Sequence, residues 1–272
     1  MSEQPPPDLD RIARQLAQHL DSYRLAGIEW VPNQTSPLPA PATAAPISPP
    51  VSAVPLPTVP VQRPAGLFAP PSLATPVADS REQRQAALDE LRQQVAGCLR
   101  CPELASQRTQ TVFGTGPLDP DLCFIGEAPG FEEDRSGEPF VGPAGQLLTR
   151  MITACGMKRE EVFICNILRC RPPNNRTPTP EEARLCSEWL DRTLDLVRPK
   201  FLCLLGNTPL QALLGMSGIT RLHGRFFEYR GIPALCTFHP SYLLRSPEKK
   251  KEAWEDLQVL LQRMGRPIPG KS

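Results

Sequence analysis

Apolar runs of strand length alternate with helical patterns over the last two thirds of the chain. The strand-length runs are Leu122–Gly126, Val162–Ile167, Phe201–Leu205 and Ala234–Phe238. Apolar positions at helical spacing occur over 81–97, 143–155, 180–197, 207–214 and 248–264. This alternation predicts an α/β fold, with a central, mostly parallel four-stranded sheet and helices on both of its faces. The segment 223–231 would add a small irregular hairpin.

The N-terminal part of the chain has a different pattern. Apolar residues recur at helical spacing over 8–27, and this amphipathic helix predicts a segment, residues 1–30, that docks on a protein partner. The alternative is that the helix packs on the folded domain or simply frays. Half of the 34 prolines lie within residues 1–80. Because proline blocks both helix and sheet, we predict that 31–80 is a disordered linker and that the folded domain spans 81–272.

Composition narrows the class of protein. With 30 Lys and Arg against 29 Asp and Glu, the net charge is +1, which by itself indicates neither a polyanion-binding protein nor an acidic tail. No run of eighteen apolar residues occurs, so we expect no membrane span. The chain starts without the features of a signal peptide and has nine cysteines, an odd number. We therefore expect a cytoplasmic protein with free thiols, and a monomer.

Polar side chains follow three of the four predicted strands. Glu127 comes directly after the first strand, Asn166 lies near the end of the second, and His239 follows the fourth. In an open parallel sheet, ligands bind beyond the carboxyl ends of the strands. We therefore expect a carboxylate, an amide and an imidazole to meet in one active site.

Four of the nine cysteines lie outside the apolar runs. They are Cys98, Cys101, Cys170 and Cys186. Four thiolates hold either a tetrahedral zinc ion or an iron–sulfur cluster, and the spacing alone leaves both open. The other five cysteines fall inside apolar runs, so we expect them to pack in the core.

Four motifs, in this order, resemble family 4 of the uracil-DNA glycosylases. They are GEAPGFEED at 126–134, GEPFVG at 137–142, NILRCRPPNNR at 166–176 and HPSYLLR at 239–245. The resemblance covers about 85–265 and implies a three-layer α/β/α enzyme that excises uracil from DNA and so initiates base excision repair. It also implies that the four cysteines named above hold a structural [4Fe–4S] cluster.

Uracil excision assigns roles to the residues of these motifs. Breaking the C1′–N1 bond leaves positive charge on the sugar and negative charge on the base. We expect Glu127 to stabilise the cation and hold the attacking water, and His239 to donate an N–H to uracil O2. Asn166 would read the edge of the base, and Phe140 would stack on it. The predicted lining of the uracil site is completed by Ala128, Gly130 and Glu133.

The loops on the predicted catalytic side carry groups suited to DNA. Those expected to contact DNA are Arg176, Leu243, Leu244 and Arg245. Further candidate phosphate contacts are Arg169, Arg171, Arg221, Arg225 and Lys249–Lys251. We expect His223 to be solvated or to face a phosphate. Glu133 and Asp134 are weaker candidates for the catalytic carboxylate, because they belong to a run of acids.

The sequence supports two hypotheses about function, one for an enzyme and one for a binding protein. The first is a monofunctional glycosylase, without strand cleavage, because none of the motifs places a lysine for a Schiff base. The second is a non-catalytic, metal-containing module that binds uracil-DNA or DNA and recruits partners through its N-terminal helix. The combination of Glu127, Asn166 and His239 favours the enzyme, since a binding module would not need all three.

Overall fold

The structure, a computed structural model, describes residues 80–270. The predicted docking helix and nearly all of the predicted linker lie outside the described residues. The helices are α1 (Arg81–Ala96), α2 (Pro102–Gln107), α3 (Phe131–Ser136), α4 (Pro143–Ala154), α5 (Pro180–Val197), α6 (Asn207–Leu214), α7 (Ile219–Leu222), α8 (Pro240–Arg245) and α9 (Lys250–Arg263). The strands are β1 (Leu122–Gly126), β2 (Phe163–Asn166), β3 (Phe201–Leu205), β4 (Phe226–Tyr229) and β5 (Ile232–Thr237). In this part of the chain, no helix has the length and hydropathy needed to cross a membrane.

The strands form one sheet in the order β2-β1-β3-β5-β4. The four predicted strands are parallel to one another. β4 comes from the predicted hairpin segment and pairs antiparallel with β5, so the sheet has one strand more than the four expected. In the turn between them, Arg230 and Gly231 have φ values of 51° and 80°, the left-handed conformation that a tight hairpin turn requires.

Side chains alternate between two apolar layers along each strand. In β1, Cys123 and Ile125 pack with residues of α1 and α5, whereas Leu122 and Phe124 pack with residues of α4 and α9. All four of these side chains are completely buried. Helices therefore cover both faces of the sheet, and the expected three-layer α/β/α architecture is confirmed.

α5 begins where the sequence predicts a helix start. The Thr179 hydroxyl accepts the N–H of Glu182 at 3.2 Å, and the Glu182 carboxylate accepts the N–H of Thr179 at 2.7 Å. This reciprocal capping box and Pro180 at the first helical position end the preceding loop at a defined place. That loop runs from β2 past Cys170 along one side of the candidate site.

The four shortest helices, α2, α3, α7 and α8, are not predicted by the sequence pattern. Each has only four to six residues, so too few positions exist for a helical period to be recognised. Two of them matter for function, because α3 and α8 follow β1 and β5 almost directly. They carry side chains at the carboxyl edge of the sheet.

Candidate active site

A cleft of about 310 Å³ lies at the carboxyl ends of the parallel strands. Glu127 follows β1, Asn166 ends β2 and His239 follows β5, and all three line this cleft. The structure thus brings together the carboxylate, the amide and the imidazole singled out above. The other predicted residues that line the cleft are Ala128, Gly130, Glu133, Phe140, Arg176 and Arg245.

Asn166 presents an unused hydrogen-bond acceptor. The residue is 2% exposed, and its buried Oδ1 has no hydrogen-bond partner among residues 80–270. A buried polar atom without a partner costs about 1–3 kcal/mol, so this acceptor indicates a ligand that carries a matching donor. Gly126 leaves the space that the Asn166 side chain occupies, since a Cβ at Gly126 would lie 2.5 Å from Oδ1 of Asn166.

His239 caps α8 with its ring. Its Nδ1 accepts the backbone N–H of Ser241 at 3.1 Å and lies 2.7 Å from the Ser241 hydroxyl. Burial, together with the charge of Arg245, lowers the pKa of His239 to about 4. The ring is therefore neutral at neutral pH, and because Nδ1 accepts, the ring N–H lies on Nε2.

Glu127 is oriented by a residue that sequence reasoning missed. The hydroxyl of Thr208 donates to Oε2 of Glu127 at 2.5 Å. Thr208 lies in the first turn of α6, directly after β3, so the third strand also contributes to the site. Its position just beyond a predicted strand was the signal that could have identified it.

The Glu133 carboxylate connects two backbone segments beside the cleft, the one before α3 and the one before α4. Its Oε2 accepts the N–H of Gly130 at 3.0 Å, and its Oε1 accepts the N–H groups of Val141 and Gly142, both at 2.8 Å. With three backbone donors on its two oxygens, Glu133 positions the wall of the site, which fits its place as a weaker candidate for the catalytic carboxylate than Glu127. Asp134 is 3% exposed and accepts one backbone N–H with both of its oxygens, at 3.0 and 3.1 Å, so it too has a structural role.

Phe140 forms an aromatic wall of the cleft. It is 6% exposed, and its ring centroid lies 5.7 Å from that of His239. Its φ of 55° is strained for a phenylalanine. Gly145 allows this conformation, because a Cβ at Gly145 would overlap the Phe140 carbonyl. Backbone strain in a buried aromatic at a cleft is typical of a binding residue.

The four candidate metal ligands surround one small cavity. The cysteines that line it are Cys98, Cys101, Cys170 and Cys186. Cys98 and Cys101 lie in the segment between α1 and α2, Cys170 lies in the loop after β2, and Cys186 lies in α5. The other five cysteines are at most 3% exposed and belong to the two apolar layers, which confirms that they pack in the core.

Two N–H groups point at the sulfur atoms of this cavity. The Arg108 guanidinium donates to Cys170 Sγ at 3.0 Å, and the Trp189 indole donates to Cys98 Sγ at 3.3 Å. Such donors stabilise sulfur ligands that carry negative charge. Within residues 80–270, no three Cys, His, Asp or Glu side chains are arranged to hold a single metal ion. Four thiols around one cavity are a donor set that suits an iron–sulfur cluster or a zinc ion.

Comparison with known proteins agrees with this site. A family model described as the uracil DNA glycosylase superfamily matches residues 113–258. A relative from Thermotoga maritima is 42% identical over 64% of this chain and 93% of its own length. Relatives from Archaeoglobus fulgidus and Sulfurisphaera tokodaii are 36% and 37% identical over 67% and 64% of this chain and 96% and 83% of their own lengths. All three are named type-4 uracil-DNA glycosylase. The chain belongs to the type-4 uracil-DNA glycosylases.

In this type-4 family member, α8 presents one leucine outward and not two. Leu243 is 1% exposed and packs in the core beside α4 and α9, so the prediction that it contacts DNA is wrong. Leu244 is 38% exposed. Arg245 is exposed, lines the cleft and forms no ion pair with any residue that the structure describes. Leu244 and Arg245 are thus exposed at the end of α8, and their contact with DNA stays a prediction.

Arg176 reaches the cleft, but carboxylates already bind its guanidinium. It donates to Glu182 through two bonds, of 2.7 and 2.8 Å, and to Glu103 at 3.0 Å. The hydrogen bond from Arg176 lowers the pKa of Glu182, so this pair is charged. The side chain joins α2 to α5 and its charge is balanced by two carboxylates, and the DNA contact at Arg176 stays a prediction.

Two further groups predicted to face DNA have structural roles in this glycosylase fold. Arg169 is 1% exposed and donates to the Phe113 carbonyl at 2.5 Å and the Thr193 hydroxyl at 3.2 Å. His223 Nδ1 lies 3.0 Å from the carboxylate of Asp256, which is 4% exposed. Arg169 is thus shielded from solvent, whereas the His223 side chain is 23% exposed and is held by Asp256.

Proposed function

We propose that this protein removes uracil from DNA by hydrolysing the bond between C1′ of the deoxyribose and N1 of the base. The abasic site that results would be the first intermediate of base excision repair. The observation that carries the proposal is the unpartnered, buried Oδ1 of Asn166 in the cleft that also holds Glu127 and His239. The names of the relatives support the same reaction.

Asn166 selects uracil through its hydrogen-bond pattern. Its Oδ1 accepts from uracil N3–H, and its amide N–H donates to uracil O4. Cytosine carries the reverse pattern at these two atoms, so an acceptor would face an acceptor and a donor would face a donor. Sites of this kind reject the wrong ligand by about 10⁴-fold, because buried polar groups are left unpaired.

His239 stabilises the departing base. The negative charge that develops on uracil lies largely on O2 and N1, and the Nε2–H of the neutral ring donates to O2. The low pKa of His239, about 4, supports a neutral donor in place of an imidazolium. The ring needs no protonation step, because its capping bonds to Ser241 already set the tautomer.

Glu127 acts on the sugar side of the bond. Its carboxylate stabilises the positive charge of the sugar and orients the attacking water, the role that carboxylates have in glycoside hydrolysis. The hydrogen bond from Thr208 supports this role, because a carboxylate held in one orientation needs little rearrangement in the transition state.

The uridine must leave the helix before the base reaches the cleft. Extrusion costs a few kcal/mol, and the cost is lowest where pairing is already weak. Phe140 offers a ring face on which the extruded base stacks. Leu244 and Arg245, at the exposed end of α8, occupy the gap in the DNA and bind the neighbouring phosphate.

The cysteine cavity would hold a [4Fe–4S] cluster through Cys98, Cys101, Cys170 and Cys186. When bound, such a cluster supplies cross-links between segments distant in sequence, here the segment before α2, the loop after β2 and α5. Among the described residues, the cleft itself contains no lysine, which supports base removal without strand cleavage. A cytoplasmic monomer remains our proposal for the state of the protein.

The test of the function is incubation with oligonucleotides that contain one uracil, followed by alkali to cleave abasic sites. The full chain should leave alkali-sensitive sites at uracil and no cleavage before alkali. If the intact protein leaves none, the enzyme proposal fails, and the non-catalytic DNA-binding module becomes the better hypothesis.

Asn166→Asp tests how the base is selected. A carboxylate lacks the N–H for O4 of uracil, so the ratio of the rates on uracil and on cytosine should fall by at least about tenfold. The matched control is Asn174→Asp, an exposed amide that does not line the cleft. An unchanged ratio in the Asn166 variant would show that another group reads the base.

A further inference from the structure

An exposed aromatic ring lies at the rim of the cleft. Phe131 is 49% exposed and directly follows Gly130, which lines the cleft. The guanidinium carbons of Arg135 and Arg171 lie 5.7 and 5.1 Å from the centroid of its ring. We call Phe131, Arg135 and Arg171 the rim cluster. Its members come from α3, after β1, and from the loop after β2, two segments that also carry cleft residues, Glu133 and Asn175.

The two arginines of the rim cluster keep their charges available. Neither forms an ion pair with any residue of the described part of the chain. Arg171 donates from Nε to the side chain of Asn175 at 2.7 Å, and Asn175 also lines the cleft. Glu132 is exposed beside Phe131 but pairs with neither arginine. The rim cluster therefore carries net positive charge, in contrast to Arg176.

We infer that the rim cluster binds the nucleotide next to the extruded uracil in an unpaired state. Aromatic rings and guanidinium planes are the groups on which single-stranded bases stack, and guanidinium groups also bind the phosphate that follows. When DNA delivers a base into the cleft, the strand on either side of that base passes the rim of the cleft. A nucleotide next to the extruded uracil is therefore near the rim cluster, and its phosphate is attracted by the positive charge there. The inference rests on the proposed function.

The strand state of the DNA decides whether this contact forms. A base within a duplex has its faces covered by its neighbours, so only an unpaired base can offer a face to Phe131 or to a guanidinium. The rim cluster should therefore strengthen binding to single-stranded DNA much more than to a duplex. One stacked base changes affinity by about 5- to 100-fold.

The test measures binding of oligonucleotides that carry 2′-fluoro-2′-deoxyuridine, which resists hydrolysis, with 2-aminopurine as the adjoining base. Phe131→Ala should raise Kd for the single strand by about 5- to 100-fold and abolish the fluorescence change of 2-aminopurine, with less than a threefold change for the duplex. Phe131→Trp should bind as the native chain does, because it keeps a stacking plane. Arg171→Lys should have an intermediate effect, since it keeps the charge and loses the plane.

The matched control is Val259→Ala, an exposed apolar side chain on α9, 40% exposed. The inference is overturned if Phe131→Ala binds the single strand within twofold of this control. It is also overturned if single strand and duplex lose affinity equally, because the contact would then not depend on an unpaired base. Uracil excision by the native chain is assayed alongside: absence of excision would refute the proposed function, whereas excision with unchanged binding by the variants would refute only the rim cluster.

Discussion

Adding one methyl group at Gly126 should damage the uracil site directly. Gly126 is the last residue of β1, and it packs between the side chains of two cleft residues, Phe140 and Asn166. A Cβ at Gly126 would overlap Cζ of Phe140 and lie 2.5 Å from Oδ1 of Asn166. Neither neighbour moves easily. Phe140 is buried against Gly145 in a strained conformation, and Asn166 is 2% exposed in the sheet.

The expected magnitudes follow from these distances. Ordinary contact begins at about 3.4 Å, so the amide of Asn166 would have to retreat by about 1 Å. A misplacement of that size costs about 100-fold in rate. Overpacking a filled core costs about 1–3 kcal/mol, which corresponds to a fall in Tm of about 2–12 °C for a domain of this size.

The assay compares kcat/KM on a uracil oligonucleotide, and Tm, for Gly126→Ala and for Gly97→Ala. Gly97 is a suitable control, because its φ is −86° and a Cβ there would come no closer than 3.8 Å to any atom. If Gly126→Ala keeps its activity within twofold of the Gly97 variant, Asn166 and Phe140 do not pack tightly against Gly126, and the reasoning is refuted.

Three further predictions concern charge and the cysteine cavity. Because the pKa of His239 is about 4 against an ordinary 6.5, its titration should leave the excision rate unchanged between about pH 5 and 8. The free energy of unfolding should fall as pH drops from 6.5 towards 4, since the unfolded chain binds a proton that the folded ring does not, and His239→Gln should reduce this fall in denaturant titrations. Trp189→Phe removes the N–H donated to Cys98 but keeps an aromatic ring, so the half-time of iron loss after chelator challenge, followed by visible absorption, should shorten by about 10–100-fold. Arg245→Gln should reduce the salt dependence of DNA binding by about one counterion, whereas Arg176→Gln should leave that slope unchanged and lower Tm.

Each of these outcomes has a contrary result that would count against the structure. A rate that follows a pKa near 6.5 and is lost in His239→Gln would mean that the ring is solvated. Equal salt slopes for the native chain and the Arg245 variant would remove Arg245 from the DNA face. Full retention of iron by Trp189→Phe would show that the indole N–H does not support the cysteine ligands.

Local pattern predicts much of the fold, because each strand and long helix repeats its signal over many residues. The run Leu122–Gly126 and the helices that start at Pro143 and Pro180 appear in the structure with the predicted starts. The short helices do not, since six residues provide no period. For the same reason the sequence could not tell which leucine of α8 faces inward, and Leu243 is buried while its neighbour Leu244 is exposed.

The order of residues along the chain was enough to define which chemistry is possible: a carboxylate, an amide and an imidazole, each at the end of a strand, with four cysteines set apart from the apolar runs. Parallel strands align their carboxyl ends at one edge of the sheet. The convergence of these three side chains was therefore predictable from their positions after the strands. Which charges stay free became clear only from the packing of the folded chain. Arg176 is bound by Glu182 on the next helix and also by Glu103, 73 residues away, whereas Arg245 finds no carboxylate within the described chain. The contact with Glu103 and the lack of a partner for Arg245 depend on distances between segments remote in sequence, and no local pattern encodes them.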